Sequence, residues 1–88
     1  MTVLYHKKFL KDLSLVPSSE RIRIETFVFK KVVTLSSFDQ VLGAEKLHGY
    51  RNFYKIRFGN YRVGLSYDSD MLTFERVLHR KEIYRYFP

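Results

Sequence analysis

Residues 53–67 read FYKIRFGNYRVGLSY and decide the fold, because two runs of alternating side chains flank the turn pair Gly59-Asn60. Such a pair between alternating runs is the signal of a β-hairpin. A two-residue loop at this point places Arg57 opposite Arg62 on the neighbouring strand. The stretch therefore predicts both the hairpin and its register.

This register sorts the side chains of the hairpin onto two faces. One face is expected to be the core and carries Tyr54, Ile56, Phe58, Tyr61, Val63, Leu65 and Tyr67. The other face is expected to be cationic and carries Phe53, Lys55, Arg57, Arg62, Gly64 and Ser66. Like charges opposed across a sheet repel, so a cationic cluster beside a flat glycine predicts an anionic partner. An ordinary solvated sheet face is the alternative.

The composition limits the fold and the possible partners. A chain of 88 residues with 45% apolar content can bury one core, which predicts a single domain over residues 1–88. Cysteine is absent, which excludes disulfides, a thiolate nucleophile and a cysteine-ligated metal. The formal charge is +7, from 16 Lys and Arg against 9 Asp and Glu, and predicts a polyanion, an acidic protein or an anionic membrane as partner.

No apolar run is long enough to span a membrane, and the first residues lack the apolar stretch of a signal peptide. A cytoplasmic protein is therefore expected.

The N-terminal third of the chain predicts a strand followed by two helices. Residues 3–5 favour a short strand, and the apolar spacing that follows favours a helix over about residues 6–14. Pro17 cannot continue that helix, while Ser18 and Ser19 offer a cap for a second helix that extends to Leu35. The β-branched content of this second segment leaves a strand as the alternative. Residues 36–52 are expected to form an irregular connection, with a turn at about residues 38–42.

A third strand is predicted over residues 71–79, after a turn at Ser69-Asp70. That register places Leu72, Phe74 and Leu78 on the core side, and Glu75, Val77 and His79 on the cationic side. It also sends Arg76 toward the core, which is unfavourable for a guanidinium. The expected fold class is α+β: an N-terminal strand, a helical hairpin and a three-stranded antiparallel meander.

Motif tests narrow the chemistry. The chain has no glycine-rich phosphate loop, no Gly-x-Ser-x-Gly nucleophile elbow and no His-x-x-x-His pair. Its three histidines are scattered, so neither a metal nor a cofactor is expected. What remains is a set of basic residues interleaved with aromatic residues, a combination that suits single-stranded nucleic acid.

The chain resembles the RelE/ParE superfamily of bacterial and archaeal toxins over nearly its whole length. The resemblance is carried by Lys46-Leu47-His48-Gly49, Tyr54-Lys55-Ile56-Arg57, Gly59-Asn60-Tyr61-Arg62 and Val77-Leu78-His79-Arg80-Lys81-Glu82-Ile83-Tyr84. It implies a helical hairpin packed on a small, mostly antiparallel sheet, and an acidic antitoxin protein as partner. In the RelE branch it further implies ribosome-dependent cleavage of messenger RNA, an activity that needs no metal or cofactor.

The RelE reaction is attack of a ribose 2′-hydroxyl on the adjacent phosphate, which leaves a cyclic phosphate. Six residues are candidate catalytic residues: Lys55, Arg57, Arg62, Arg80 and Tyr84, which match the RelE pattern, and His79, which stands where that pattern commonly has a lysine. The arginines can stabilise a dianionic phosphorane, since guanidinium stays charged and matches phosphate oxygens. Lys55 is the candidate base, because neighbouring cations favour its neutral form. His79 is the candidate acid, because imidazole titrates near neutrality, and Tyr84 could stack on a base or orient a phosphate.

Four alternatives remain at this point, one of which is a basic RNA-binding module. A toxin of the ParE branch would inhibit DNA gyrase without cutting RNA, and the same basic residues would then only make contacts with gyrase. Glu75 could pair with Arg62 across the sheet, and Tyr84 could close the edge of the core. Each of the last two would give the residues concerned a structural role.

Overall fold

A five-stranded sheet carries a helical hairpin on one face, in a computed structural model that describes residues 1–88. The elements run in the order β1 (Thr2–Tyr5), α1 (Lys7–Ser14), α2 (Ser18–Glu25), β2 (Glu45–Lys46), β3 (Phe53–Phe58), β4 (Tyr61–Asp68), β5 (Met71–His79) and α3 (Ile83–Tyr86). The strand order is β1-β5-β4-β3-β2, with β1 parallel to β5 and the other pairs antiparallel. The α+β class is confirmed.

The two helices form where the sequence predicts them. Phe9 and Leu13, four residues apart, are the buried residues of α1. Helix α2 continues without a break through a π-helical segment, Thr26–Lys31, and a 3₁₀ turn, Val32–Thr34. The second helix therefore extends over nearly the predicted length, and the strand alternative is wrong.

The predicted cap of α2 is also wrong. Pro17 holds the N-cap position, and no side chain caps the helix. Ser18 is already the first helical residue, directly after Pro17, whose φ is −54° and whose ψ is 148°. The hydroxyl of Ser19 donates to the Glu20 carboxylate at 2.7 Å, and this hydrogen bond is the largest cause of the lowered pKa of Glu20.

The hairpin of β3 and β4 has the predicted register. Arg57 lies opposite Arg62, and Lys55 lies opposite Gly64. The expected core face packs on the helices, and Ile56, Val63 and Leu65 are buried there. Gly59 has a positive φ of 57°, a conformation that glycine adopts without steric cost in a two-residue turn.

The predicted register of β5 is right at the start of the strand and wrong at its end. Leu72 and Phe74 lie on the core face, as expected. A β-bulge then intervenes, because Gly64 pairs with Arg76 while Leu65 pairs with Phe74, so Glu75 is the extra residue. After the bulge, each residue of β5 lies on the opposite face of the sheet from the one predicted.

Because of the bulge, Val77 is buried in the core and the charged side chain of Arg76 lies outside it. Val77 turns into the core opposite Val63, while Leu78 leaves the core face. The guanidinium of Arg76 donates to the Asp12 carboxylate at 2.7 and 3.2 Å, and this hydrogen bonding raises the pKa of Arg76. Asp12 also accepts the N–H of Val77 at 3.2 Å, so α1 stabilises the bulge.

The second face of the sheet is partly covered by the end of the chain. Ile83 and Phe87 are buried there against Leu47 in a small second cluster. Gly64 was expected to be an open, flat position, but a Cβ atom at Gly64 would lie 2.7 Å from the ring of Phe87. The cationic side chains therefore border this cluster and do not surround an empty glycine.

Residues 36–52 are more ordered than expected. They contain the short strand β2, which pairs with β3, and a 3₁₀ turn at Phe38–Gln40 that matches the expected turn. A two-residue strand carries no visible alternation, so the sequence could not predict it.

No helix of the chain is both long enough and apolar enough to cross a membrane.

Candidate active site

Lys55 and Tyr84 form the best defined contact on the second face. Strand β3 presents Lys55 and α3 presents Tyr84, and the Lys55 Nζ donates to the Tyr84 hydroxyl oxygen at 2.5 Å. The ammonium also lies 5.0 Å from the centroid of the Tyr84 ring, a cation–π distance. Tyr84 remains 59% exposed, so it does not close the edge of the core. The pair combines a proton-bearing amine with an accessible aromatic face.

Arg57 and Arg62 lie directly opposite each other beside this pair. The Arg62 Nη1 donates to the carbonyl oxygens of Gly59 at 2.8 Å and Tyr61 at 3.0 Å, which holds the guanidinium at the turn. The other nitrogens of Arg62 and the whole Arg57 guanidinium make no hydrogen bond within the chain. Two opposed guanidinium groups with free donors are suited to the oxygens of one phosphate.

Arg80 extends this cluster past the end of β5. Its N–H donates to the carbonyl of Asn60, the turn residue before β4, at 2.7 Å, so the ladder of hydrogen bonds extends one residue past His79. The alternation of the strand then gives exposed Arg80 the same side as Arg62 and the opposite side to His79. The prediction that β5 ends at His79 is confirmed.

The register places His79 on the helix face, not on the cationic face where it was expected. It pairs with Tyr61, and the two rings meet nearly edge to face, with centroids 5.5 Å apart. The His79 Nδ1 accepts the N–H of Lys81 at 3.1 Å. The physical reason for the difference is the bulge at Glu75, which reverses the faces of every later residue of β5.

None of the six candidate residues forms an ion pair. The ion pairs of the chain join Met1 to Asp70, Asp12 to Arg76 and Glu82 to Arg85. The alternative in which Glu75 pairs with Arg62 is wrong, because Glu75 accepts a hydrogen bond from the Ser66 hydroxyl at 2.8 Å. The cations of the second face are therefore free to meet an anion.

The structure adds a loop that contributes none of the six candidate catalytic residues. A groove of about 410 Å³ runs beside Lys55 and Tyr84 and is also lined by His48 and Tyr50 of the loop between β2 and β3. Only the tertiary contact between this loop and α3 brings these residues to the site, and the sequence carries no signal for it.

Comparison with known proteins finds similarity to toxins of type II toxin–antitoxin systems. A family model described as the ParE toxin of the type II toxin–antitoxin system parDE matches residues 3–84. Toxin RelE3 of Methanocaldococcus jannaschii is 47% identical over 88 residues, which cover 100% of both chains.

Two solved structures show how far the likeness extends. The RelB-RelE antitoxin–toxin complex from Methanococcus jannaschii contains a chain that matches with a TM-score of 0.79 and 45% identity, over 97% of this chain and 99% of that one. The RelBE2 toxin–antitoxin complex from Mycobacterium tuberculosis contains a chain that matches with a TM-score of 0.66 and 21% identity, over 90% and 96% of the two chains. The second match bears on the fold alone.

Proposed function

The chain belongs to the RelE/ParE family of toxins of type II toxin–antitoxin systems, and we propose that it acts by cutting messenger RNA on the ribosome. The observation that carries this proposal is the face formed by Lys55, Arg57, Arg62, Arg80 and Tyr84, on which no cation is paired with a carboxylate. Guanidinium groups beside an amine and a phenol can stabilise the charge that develops when a phosphodiester is cleaved.

In the proposed reaction the 2′-oxygen of a ribose bonds to the adjacent phosphorus as the bond to the 5′-oxygen breaks. Lys55, in its neutral form, accepts the proton of the 2′-hydroxyl, and Tyr84 holds the amine in place through their hydrogen bond. Arg57 and Arg62 stabilise the charge on the non-bridging oxygens. Arg80 stabilises the charge that develops on the leaving 5′-oxygen, which takes its proton from a solvent water molecule. The products are a 2′,3′-cyclic phosphate and a free 5′-hydroxyl.

His79 has a different part in this scheme. The chemistry of imidazole and its position in the sequence predict that it donates the proton to the 5′-oxygen, and its place on the helix face argues against that role. We propose instead that it positions Arg80, because its Nδ1 accepts the Lys81 N–H and so fixes the turn that follows Arg80.

The proposed protein partner is an acidic antitoxin. Solved relatives were crystallised as complexes with RelB, and a chain with a formal charge of +7 favours an acidic partner. The ribosome and its message are the proposed partners of the second face.

A second candidate function is inhibition of DNA gyrase, and it is favoured by the description of the matching family as ParE. Under that function the basic side chains would serve only as contacts. The unpaired phosphate-binding cluster is the observation that favours RNA cleavage.

The experiment that separates the two functions combines two readouts after brief induction of the protein. Primer extension on translated messages should show breaks, while plasmid supercoiling should stay normal. Intact messages with relaxed plasmids would refute RNA cleavage and support the gyrase function.

A further inference from the structure

We propose that the loop of residues 47–52, between β2 and β3, binds one unpaired RNA nucleotide next to the cut, with Tyr50 stacking on the base. This inference rests on the proposed function, because the nucleotide would belong to the message held at Lys55 and Tyr84. It adds a binding site outside the proposed catalytic face. Lys46 and Arg51 would bind the phosphate of that nucleotide.

Two adjoining grooves connect the loop to the reacting pair. The groove of about 410 Å³ at Lys55 and Tyr84 shares His48 and Tyr50 with a second groove of about 420 Å³. The second groove is lined by Lys46 and Arg51 as well. A strand that leaves the reacting phosphate along this surface therefore meets Tyr50 first and the two cations next.

The loop is held in shape before any ligand arrives. Leu47 is 7% exposed and anchors the loop in the second apolar cluster. Its N–H donates to the Phe53 carbonyl at 2.8 Å, and its carbonyl accepts the N–H of Tyr50 at 3.3 Å. The ring of Tyr50 packs edge to face on Phe53, with centroids 6.4 Å apart. Gly49 has a φ of 83°, which allows the sharp turn between them.

The chemistry of the grooves fits a single-stranded nucleotide. Tyr50 is 52% exposed and Tyr84 is 59% exposed, so each offers part of an aromatic ring to a flat base. No carboxylate lines either groove, while Lys46, Arg51 and Lys55 supply positive charge. Stacking on aromatic rings combined with a cationic track is the usual way in which proteins hold unpaired nucleotides.

The test is binding of a fluorescent RNA hexanucleotide, 2′-O-methylated throughout so that it cannot be cut, to the purified full chain at low salt. Tyr50→Ala should raise the Kd about tenfold or more, the usual effect of removing a stacking ring. Tyr50→Phe should bind like the parent, because it keeps the ring. Tyr86→Ala is the control, since Tyr86 is a tyrosine of equal exposure, 52%, that lines neither groove. Its Kd should not change.

The site is refuted if the parent does not bind the hexanucleotide, if Tyr50→Ala binds as tightly as the parent, or if Tyr86→Ala weakens binding equally. Circular dichroism verifies that each variant is folded. Cleavage on programmed ribosomes, measured in parallel, tests the proposed function separately. Binding that depends on Tyr50 without any cleavage by the parent would support the site and refute the proposed reaction.

Discussion

Among individual side chains, Arg62 is the one on which the proposed reaction depends most directly. It combines a fixed position, through its bonds to the Gly59 and Tyr61 carbonyls, with nitrogens that are free to bind phosphate. Arg62→Ala should lower the single-turnover cleavage rate on programmed ribosomes by about 10²–10³-fold, the usual cost of removing one electrostatic contact to a transition state. The fold should persist, because the side chain lies outside both apolar clusters.

The matched control for this prediction is Arg85→Ala. Arg85 carries the same charge on α3 and pairs only with Glu82, at 3.7 Å. It should cut at the rate of the parent. A folded Arg62→Ala protein that cuts as fast as the Arg85→Ala protein would exclude Arg62 from the reaction.

His79 and Arg80 can be separated by the pH dependence of cleavage. His79→Asn keeps an acceptor for the Lys81 N–H, so it should cut well and retain the pH profile of the parent. Arg80→Lys should lower the rate about tenfold or more at every pH, because lysine lacks the forked contact to phosphate. Rates are measured in single turnover from about pH 5 to 8, where an unperturbed histidine titrates. A His79→Asn profile that is flat across this range would restore His79 as the proton donor.

Among the secondary-structure elements, β4 and the end of the chain are joined by the contact of Gly64 with Phe87. Gly64→Ala should reduce the free energy of unfolding by about 1–3 kcal/mol, because the new methyl group would overlap the Phe87 ring. Phe87→Ala alone should be destabilising, since it empties the second cluster. In the double variant the cost of Gly64→Ala should vanish, a coupling that urea unfolding of the four proteins measures. Additive costs would show that the two residues do not constrain each other.

Tyr5 joins β1 to the π-helical segment of the second helix. Its hydroxyl donates to the Val28 carbonyl at 2.5 Å, and burial raises the pKa of Tyr5 above its ordinary value of 10.0. Tyr5→Phe should cost about 1 kcal/mol in the free energy of unfolding, since the carbonyl loses its partner.

The raised pKa gives this prediction a pH dependence. The folded state holds the Tyr5 proton more tightly than the unfolded state, so the stability from this group is present below pH 10.0 and is lost as the pH rises through the raised value. The parent should therefore lose stability above pH 10 more steeply than Tyr5→Phe does. Equal slopes in urea unfolding across that range would contradict the account of Tyr5.

The sequence predicts those elements whose local pattern determines them. The Gly59-Asn60 turn determines the register of β3 and β4, and the spacing of Phe9 and Leu13 determines the buried side of α1. The bulge at Glu75 could not be derived, because one extra residue leaves alternation intact on either side of it. The unfavourable inward position of Arg76 was its only signal.

The candidate site was predictable in part for the same reason. Lys55, Arg57 and Arg62 share a face because they belong to one regular hairpin. The distance of His79 from that face follows from the bulge, and the covering of Gly64 by Phe87 follows from a tertiary contact. Neither leaves a periodic pattern in the sequence.

For the protein as a whole, one face of the sheet carries most of the core and the other carries the candidate catalytic side chains. The first two helices and the larger apolar cluster occupy one face, and this face holds most of the buried core. The other face holds only the small cluster of Leu47, Ile83 and Phe87, and the candidate catalytic side chains border it. Substitutions among those side chains, which lie outside both apolar clusters, should therefore change activity far more than stability.

The central claim, that this chain cuts messenger RNA by 2′-hydroxyl attack, is tested most directly with purified protein, programmed ribosomes and two matched messages. One message is all ribose, and the other carries a single 2′-deoxynucleotide at the cut. The proposed reaction predicts that the ribose message is cut to leave a 2′,3′-cyclic phosphate and that the single deoxy substitution abolishes cutting. Equal cutting of both messages, or no cutting of the ribose message, would contradict it.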